Sequence, residues 1–288
     1  MDKSAEEIKS FVRERYAGLA RTQGQSCCAP QAQVPGSSCC AGTQSDLLSR
    51  VQKLYTSEEL DNLPGDVANF SLGCGNPLAL AELKEGEVIL DLGSGGGLDC
   101  FLAAEKVGAG GQVIGLDMTP EMIQLARENA RKMGTTNVEF RLGEMERMPV
   151  ADNSVDVIIS NCVINLSPDK DAVFREAYRA LKPGGRLSIS DMVWLGELPQ
   201  EVRTSLEEWA GCIAGALQEE VYLGKIKAAG FVRITADRST IPLYVEGQCA
   251  DTPETGRGQS YTDLGGKIAS VRVTAFKPRR IRKAKRQT

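Results

Sequence analysis

Residues Val88–Cys100 read VILDLGSGGGLDC, and the fold is decided there. Val88, Ile89 and Leu90 form a short apolar run that closes on Asp91. Gly93, Gly95, Gly96 and Gly97 follow around Ser94, and then comes a helix-like stretch, Leu98–Val107. A strand, a glycine turn and a helix N-terminus in that order place unpaired backbone amides beside a loop with little side-chain bulk. The glycines let the chain turn tightly and approach a ligand closely. Val113–Asp117 is the next strand and ends on an acid. Asp117 follows the loop by about 20 residues, the spacing at which an acidic side chain takes ribose hydroxyls in nucleotide-binding βαβ units.

Working outward, strands and helices alternate. Thr119-Pro120-Glu121 predicts a helix start, with Thr119 as cap and Pro120 in the first position. That helix runs to Met133 and stops at Gly134. Val138–Leu142 and Val155–Ser160 are strands three and four. Asn161-Cys162-Val163 stands at the C-terminal mouth of strand four, the edge where open α/β sheets bind ligands. A helix over Asp171–Leu181 and a strand over Arg186–Asp191 follow. Glu201–Ala216, which bears Cys212, and Val221–Ala229 read as helices. Val232–Arg238 and Ile268–Phe276 are β-rich and predict a closing antiparallel pair.

Upstream, Ala5–Arg21 has helical spacing, with Ile8, Phe11, Val12 and Leu19 near one face. Thr22–Gln44 is rich in Gln, Ser, Gly and Pro, reads as a loop and carries two pairs, Cys27-Cys28 and Cys39-Cys40. Asp46–Leu63 reads as a helix, and Leu78–Leu83 as a short one leading into the first strand. The expected division is a helical, cysteine-rich arm over 1–66, a main domain over 67–278 and a basic tail over 279–288.

The 288 residues, 42% hydrophobic and 25% charged, are those of an ordinary globular chain. No apolar run is long enough to span a bilayer, which predicts a cytoplasmic protein. Nine cysteines point to metal binding, redox chemistry or burial rather than to a disulfide framework. There is no histidine, so chemistry must run on carboxylates, thiols, hydroxyls or a cofactor. Six of the last ten residues are basic and none acidic, so the rest is more acidic than the net charge of −4 suggests. That argues against a nucleic-acid surface on the main domain.

The GxGxG pattern directly after Asp-Leu differs from the GxGxxG of dinucleotide sites. It resembles motif I of the class I S-adenosylmethionine-dependent methyltransferases, and Gly143-Glu144-Met145 and Leu181-Lys182-Pro183-Gly184-Gly185 continue the resemblance. The resemblance implies a Rossmann-like doubly wound α/β sheet, mostly parallel with an antiparallel final strand. It also implies S-adenosylmethionine at Asp91, Gly93, Ser94, Gly95, Asp117, Met118, Glu144, Met145 and Asn161.

The thiols narrow the resemblance. Ser160-Asn161-Cys162-Val163-Ile164-Asn165-Leu166-Ser167-Pro168-Asp169-Lys170 closely resembles the strand-four signature of arsenite methyltransferases. Gly73-Cys74-Gly75-Asn76-Pro77 and Gly211-Cys212-Ile213-Ala214-Gly215-Ala216 are similar to that family too. By resemblance, Cys74, Cys162 and Cys212 hold trivalent arsenic, with Cys212 on an insertion around 195–220 that caps the sheet edge. A further N-terminal thiol, Cys27 or Cys28, handles the intermediate. The same resemblance implies an arsenical delivered as a thiol conjugate and thioredoxin or glutathione as reductant. Soft As(III) prefers thiolates, and its lone pair attacks a methyl group without a general base. Two alternatives remain open at this point. One is a C-methyltransferase of quinone biosynthesis, the other a thiol-based arsenical-binding protein without turnover.

Overall fold

The structure is a computed structural model that describes residues 3–21, 55–56, 59–60, 63, 67, 76–196, 214–239 and 268–279. In order, the described elements are α1 (Ala5–Arg21), α2 (Leu78–Ala81), β1 (Val88–Leu92), α3 (Leu98–Val107) and β2 (Gln112–Asp117). Then come α4 (Pro120–Met133), β3 (Val138–Leu142), β4 (Val155–Asn161), a 3₁₀ turn (Ile164–Leu166) and α5 (Lys170–Ala180). The chain continues with β5 (Leu181–Trp194), β6 (Leu217–Gln218), α6 (Glu219–Ala228), β7 (Val232–Ser239) and β8 (Ile268–Phe276).

The strands form one sheet in the order β3-β2-β1-β4-β5-β8-β7, with β6 beside the end of β5. Strands β1 to β5 are parallel, and the final strand β8 runs antiparallel to both β5 and β7. The doubly wound expectation and its antiparallel closing pair therefore hold. Alternation along the strands builds two cores. Leu90, Leu92 and Ile158 point to one face, where Val173, Phe174 and Tyr222 of α5 and α6 cover them. Ile89, Val157 and Ile159 point to the other, under Phe101, Leu102, Ile123 and Ala126 of α3 and α4. Both faces are thus sealed, which is why these strands read as apolar runs. The strand order reverses between β1 and β4, and the crevice at that switch point is where such sheets bind ligands.

Three local expectations change. Strand β5 begins at Leu181 rather than Arg186 and ends at Trp194 rather than Asp191. The Pro-Gly-Gly run lies at a register irregularity between Val155 and Val157 of its neighbour, so the ladder resumes beyond it. At the other end Met192, Val193 and Trp194 pair with β8. Ala214–Ala216 is not the end of a helix, because this stretch turns directly into β6, where Leu217 pairs with Val193. Thr119 precedes α4 with extended backbone, but its side chain does not cap the helix. Its amide donates to Asp117 Oδ1 at 2.8 Å, drawing the residue back toward the end of β2. The reading of Asp46–Leu63 falls largely outside the described residues, and Cys27, Cys28, Cys39, Cys40, Cys74 and Cys212 lie wholly outside them.

Candidate active site

A cleft opens at the C-terminal ends of β1, β2 and β4. Its floor is the glycine loop. Gly93 and Gly95 have φ of +69° and +50°, and Gly97, at +97°, releases the chain into α3. Gly93 is also pressed by the next loop, since a Cβ there would stand 2.3 Å from Val163 Cγ1. Only glycine satisfies both the backbone and the space. Asp117 accepts the Gly95 amide at 3.0 Å and the Thr119 amide at 2.8 Å, so the acid of β2 also fastens the loop.

Three carboxylates line this cleft: Asp91 and Asp99, which are buried, and Asp117, which is half-buried. Burial pushes Asp91 well above the usual carboxylate range, and the neighbouring Asp99 adds to it against the Cys100 thiol at 3.2 Å. Burial raises Asp99 to about 6, opposed by hydrogen bonds from Tyr55 Oη at 2.7 Å and Asn161 Nδ2 at 3.3 Å. Asp117 is also raised by burial, opposed by the Thr119 and Gly95 amides. Desolvated carboxylates in one cleft call for a cation. S-adenosylmethionine carries two, an ammonium and a sulfonium. The buried Ser94 Oγ, which lines the cleft and has no hydrogen-bond partner among the described residues, offers the cofactor a further polar contact. The residues present therefore fit the group.

Of the residues expected at the cofactor, Asp91, Gly93, Ser94, Gly95, Asp117, Met118, Met145 and Asn161 line the cleft. Glu144 does not. Its carboxylate points to α1, where it meets Lys9 at 2.8 Å and Arg13 at 3.5 Å. The roof was not anticipated. Lys9, Val12 and Tyr16 of α1 line the same cleft. The helix buries Ile8, Val12, Ala17 and Ala20, whereas Phe11 and Leu19 of the expected face are only half-buried. Lys9 bridges Glu144 and, at 3.2 Å, Glu146, and Arg21 reaches Glu121 of α4 at 2.6 Å. Asp99, Tyr55 and Glu146 were missed as well. An acid in the first turn of the helix LDCFLAAEKV, whose other charges, Glu105 and Lys106, sit in its exposed last turn, was the one available signal for Asp99.

Cys162 lies in the cleft at the end of β4, buried and in the left-handed region with φ +61°. A non-glycine residue in that conformation is held there by its surroundings, here partly by its amide donating to Ser190 O at 2.7 Å. Its sulfur is disulfide-bonded, and the partner lies outside the described residues. Cys100, the other described cysteine, is a buried free thiol beside Asp91. Burial, and then the charge of Asp91, push its pKa well up, so it stays protonated and behaves as a core residue. Among the described residues no group of three His, Cys, Asp or Glu could hold a metal ion, and Cys162 is the one expected arsenic ligand within them.

The sheet order, the glycine loop and the acid-lined crevice are those of an S-adenosylmethionine-dependent methyltransferase, and a methyltransferase domain family matches residues 83–230. The chain is 43% identical over 281 residues to an arsenite methyltransferase of Halobacterium salinarum, covering 97% of this chain and 69% of the relative. It is 49% identical over 221 residues to one of Aquipseudomonas alcaligenes, covering 74% and 61%. The crystal structure of an arsenic(III) S-adenosylmethionine methyltransferase from Chlamydomonas reinhardtii superposes with a TM-score of 0.63 at 36% identity, covering 77% of this chain and 72% of that one. This chain belongs to the arsenite methyltransferase family, which takes the place of the quinone alternative. No described helix is long and apolar enough to cross a membrane.

Proposed function

We propose that this chain methylates trivalent arsenic held on its own thiolates, using S-adenosylmethionine. The observation that carries the reading is Cys162, which stands buried in the cofactor cleft just past the end of β4, in the left-handed region of the backbone map. As a thiolate it is a fitting ligand for a soft trivalent ion. Cys74 and Cys212 are proposed as its companions, on an insertion over 195–220 in the case of Cys212. Cys27 or Cys28 is proposed to pass arsenic on between steps. Inorganic arsenite, arriving as a thiol conjugate, would give mono- and then dimethyl species.

The cofactor supplies an electrophilic methyl group on a positively charged sulfur. The carboxylates favour that charge on binding, and Lys9, Val12 and Tyr16 of α1 cover one side of the cleft. Arsenic is the nucleophile through its lone pair, so no base is needed, in keeping with a chain that lacks histidine. What the protein contributes is alignment, which in displacement at carbon is sensitive to shifts of about 1 Å. Transfer leaves arsenic two electrons more oxidised. A dithiol such as thioredoxin, or two glutathiones, returns it to the trivalent state and ends as a disulfide. That chemistry belongs in a reducing compartment, and we place it in the cytoplasm.

The test is incubation with arsenite, S-adenosylmethionine and glutathione, followed by arsenic speciation, for the wild type and Cys162→Ser. Methylated arsenicals from the wild type and none from the variant, with cofactor affinity retained, are expected. Arsenical binding without methylated product would reduce the protein to a sequestrant. Wild-type turnover by Cys162→Ser would return Cys162 to the hydrophobic core.

A further inference from the structure

The loop from Cys162 to Lys170 is gripped from behind by a buried polar cluster that does not reach the cleft. Asp191, on β5, is fully enclosed. Its carboxylate accepts Tyr222 Oη of α6 at 3.0 Å, the Met192 amide at 3.1 Å and the backbone amide of Asn165 in the loop. Lys170, also buried, donates from Nζ to Asn165 O at 3.2 Å and Ser167 O at 2.9 Å, and its charge acts on Asp191. Asn165 Nδ2 donates to Met192 O at 2.7 Å, and the Cys162 amide to Ser190 O at 2.7 Å. Three consecutive residues of β5 therefore hold one loop, Ser190 and Asp191 through its backbone amides and Met192 through the Asn165 side chain.

A buried carboxylate is costly unless fully hydrogen-bonded, and a buried ammonium likewise. Leucines in these positions would fill the same core at lower electrostatic cost, so the cluster calls for a reason. None of its three ionisable side chains lines the cleft. What they share is the loop, and the loop carries Cys162 in a backbone conformation that such a residue rarely adopts. Burial pushes Asp191 up to about 7, against the Tyr222 bond and the Lys170 charge. Burial, and then Asp191, push the Tyr222 phenol well up, so it remains a donor. Its ring is fixed edge-on against Phe174, with centroids 5.5 Å apart.

We propose that Asp191, held by Tyr222 and Lys170, is a positioning residue that sets where the Cys162 sulfur stands over the cofactor cleft. It touches neither arsenic nor cofactor. Its effect passes through the Asn165 amide to the turn, much as partners behind a metal ligand fix that ligand's direction. The inference rests on the reading of Cys162 as an arsenic ligand.

The experiment compares reduced wild type with Asp191→Asn and Tyr222→Phe, well below their melting temperatures. Cofactor affinity, arsenite kcat and KM, and the ultraviolet absorption of arsenic–thiolate bonds on titration with As(III) are measured together. Asp191→Asn is expected to lose on the order of tenfold or more in kcat/KM for arsenite and to weaken the arsenic–thiolate band. Tyr222→Phe, which keeps the ring packed, is expected to show the same changes to a smaller degree. Both should bind S-adenosylmethionine like the wild type. A merely structural role would lower the melting temperature and leave the band and the kinetics alone, and that result overturns the proposal. Should Asp191→Asn fail to fold, Tyr222→Phe decides, and wild-type kinetics and band in that variant also overturn it. A wild type that neither forms the band nor methylates arsenite would instead remove the arsenic reading itself, and the positioning role with it.

Discussion

Val163 packs onto Gly93 so tightly that the turn carrying Cys162 and the glycine loop of the cleft are one surface. A Cβ on Gly93 would fall 2.3 Å from Val163 Cγ1 and 2.5 Å from its Cγ2. Gly93→Ala should therefore disturb both halves of the site, because φ of +69° and the contact are each unfavourable to alanine. The expected destabilisation is more than about 1 kcal/mol, with loss of cofactor affinity, and Gly93→Ala/Val163→Ala should recover only the part due to crowding. Denaturant unfolding and calorimetry on the single and double variants measure this. Unchanged stability in Gly93→Ala would show that the loop tolerates a side chain.

Asp117 does two jobs at once, presenting a carboxylate to the cleft and tying the Gly95 and Thr119 amides. Asp117→Ala should weaken S-adenosylmethionine binding by roughly 1.5–3 kcal/mol, the range for hydrogen bonds to a charged group. Calorimetry with unchanged affinity would remove Asp117 from the cofactor site.

The roof is held electrostatically. Lys9 is largely buried between Glu144 and Glu146, and although burial lowers its pKa the two carboxylates outweigh that and raise it overall. Lys9→Ala leaves Glu146 without its lysine and Glu144 with Arg13 alone, and should loosen α1, with several-fold weaker cofactor binding at low salt and a smaller gap to the wild type as added salt screens the wild-type ion pairs. Arg13 meets Glu144 at 3.5 Å on a more exposed side, so Arg13→Ala should cost well under about 1 kcal/mol. Equal effects of the two substitutions would contradict a lid held chiefly through Lys9.

Cofactor affinity should depend on pH through Asp99. Its folded value of about 6 lies above the ordinary 3.8, so the carboxylate is ionised above pH 6 and neutral below. A cationic ligand favours the ionised form. Affinity should hence be full above pH 6 and decline as pH falls through it, with proton release on binding in that window. Asp99→Asn should be weaker at neutral pH and nearly flat across the window. Titrations in buffers of different ionisation heat read the proton release, and its absence in the wild type would rule out Asp99 as the titrating group.

Much of the frame was legible in the chain because it is encoded locally. The apolar run of β1, the glycines that allow positive φ, and the acid that ends β2 lie within one βαβ unit, and their meaning does not depend on distant partners. Cys162 could be placed at the sheet edge because a parallel strand delivers its last residue there whatever its neighbours are. The tertiary structure decided which distant groups complete the site. Lys9 meets Glu144 across 135 residues, Tyr55 meets Asp99 across 44, and Tyr222 meets Asp191 across 31. Amphipathic spacing marked α1 as a helix with a buried face but carried no record of the groove it would cover. Asp191 sat unnoticed in the strand reading because a single acid in an apolar run looks the same whether it ends a strand or is buried in its middle. Burial, charge pairing and the strained turn at Cys162 arise only when several elements close on one another, and the catalytic geometry resides in that closure.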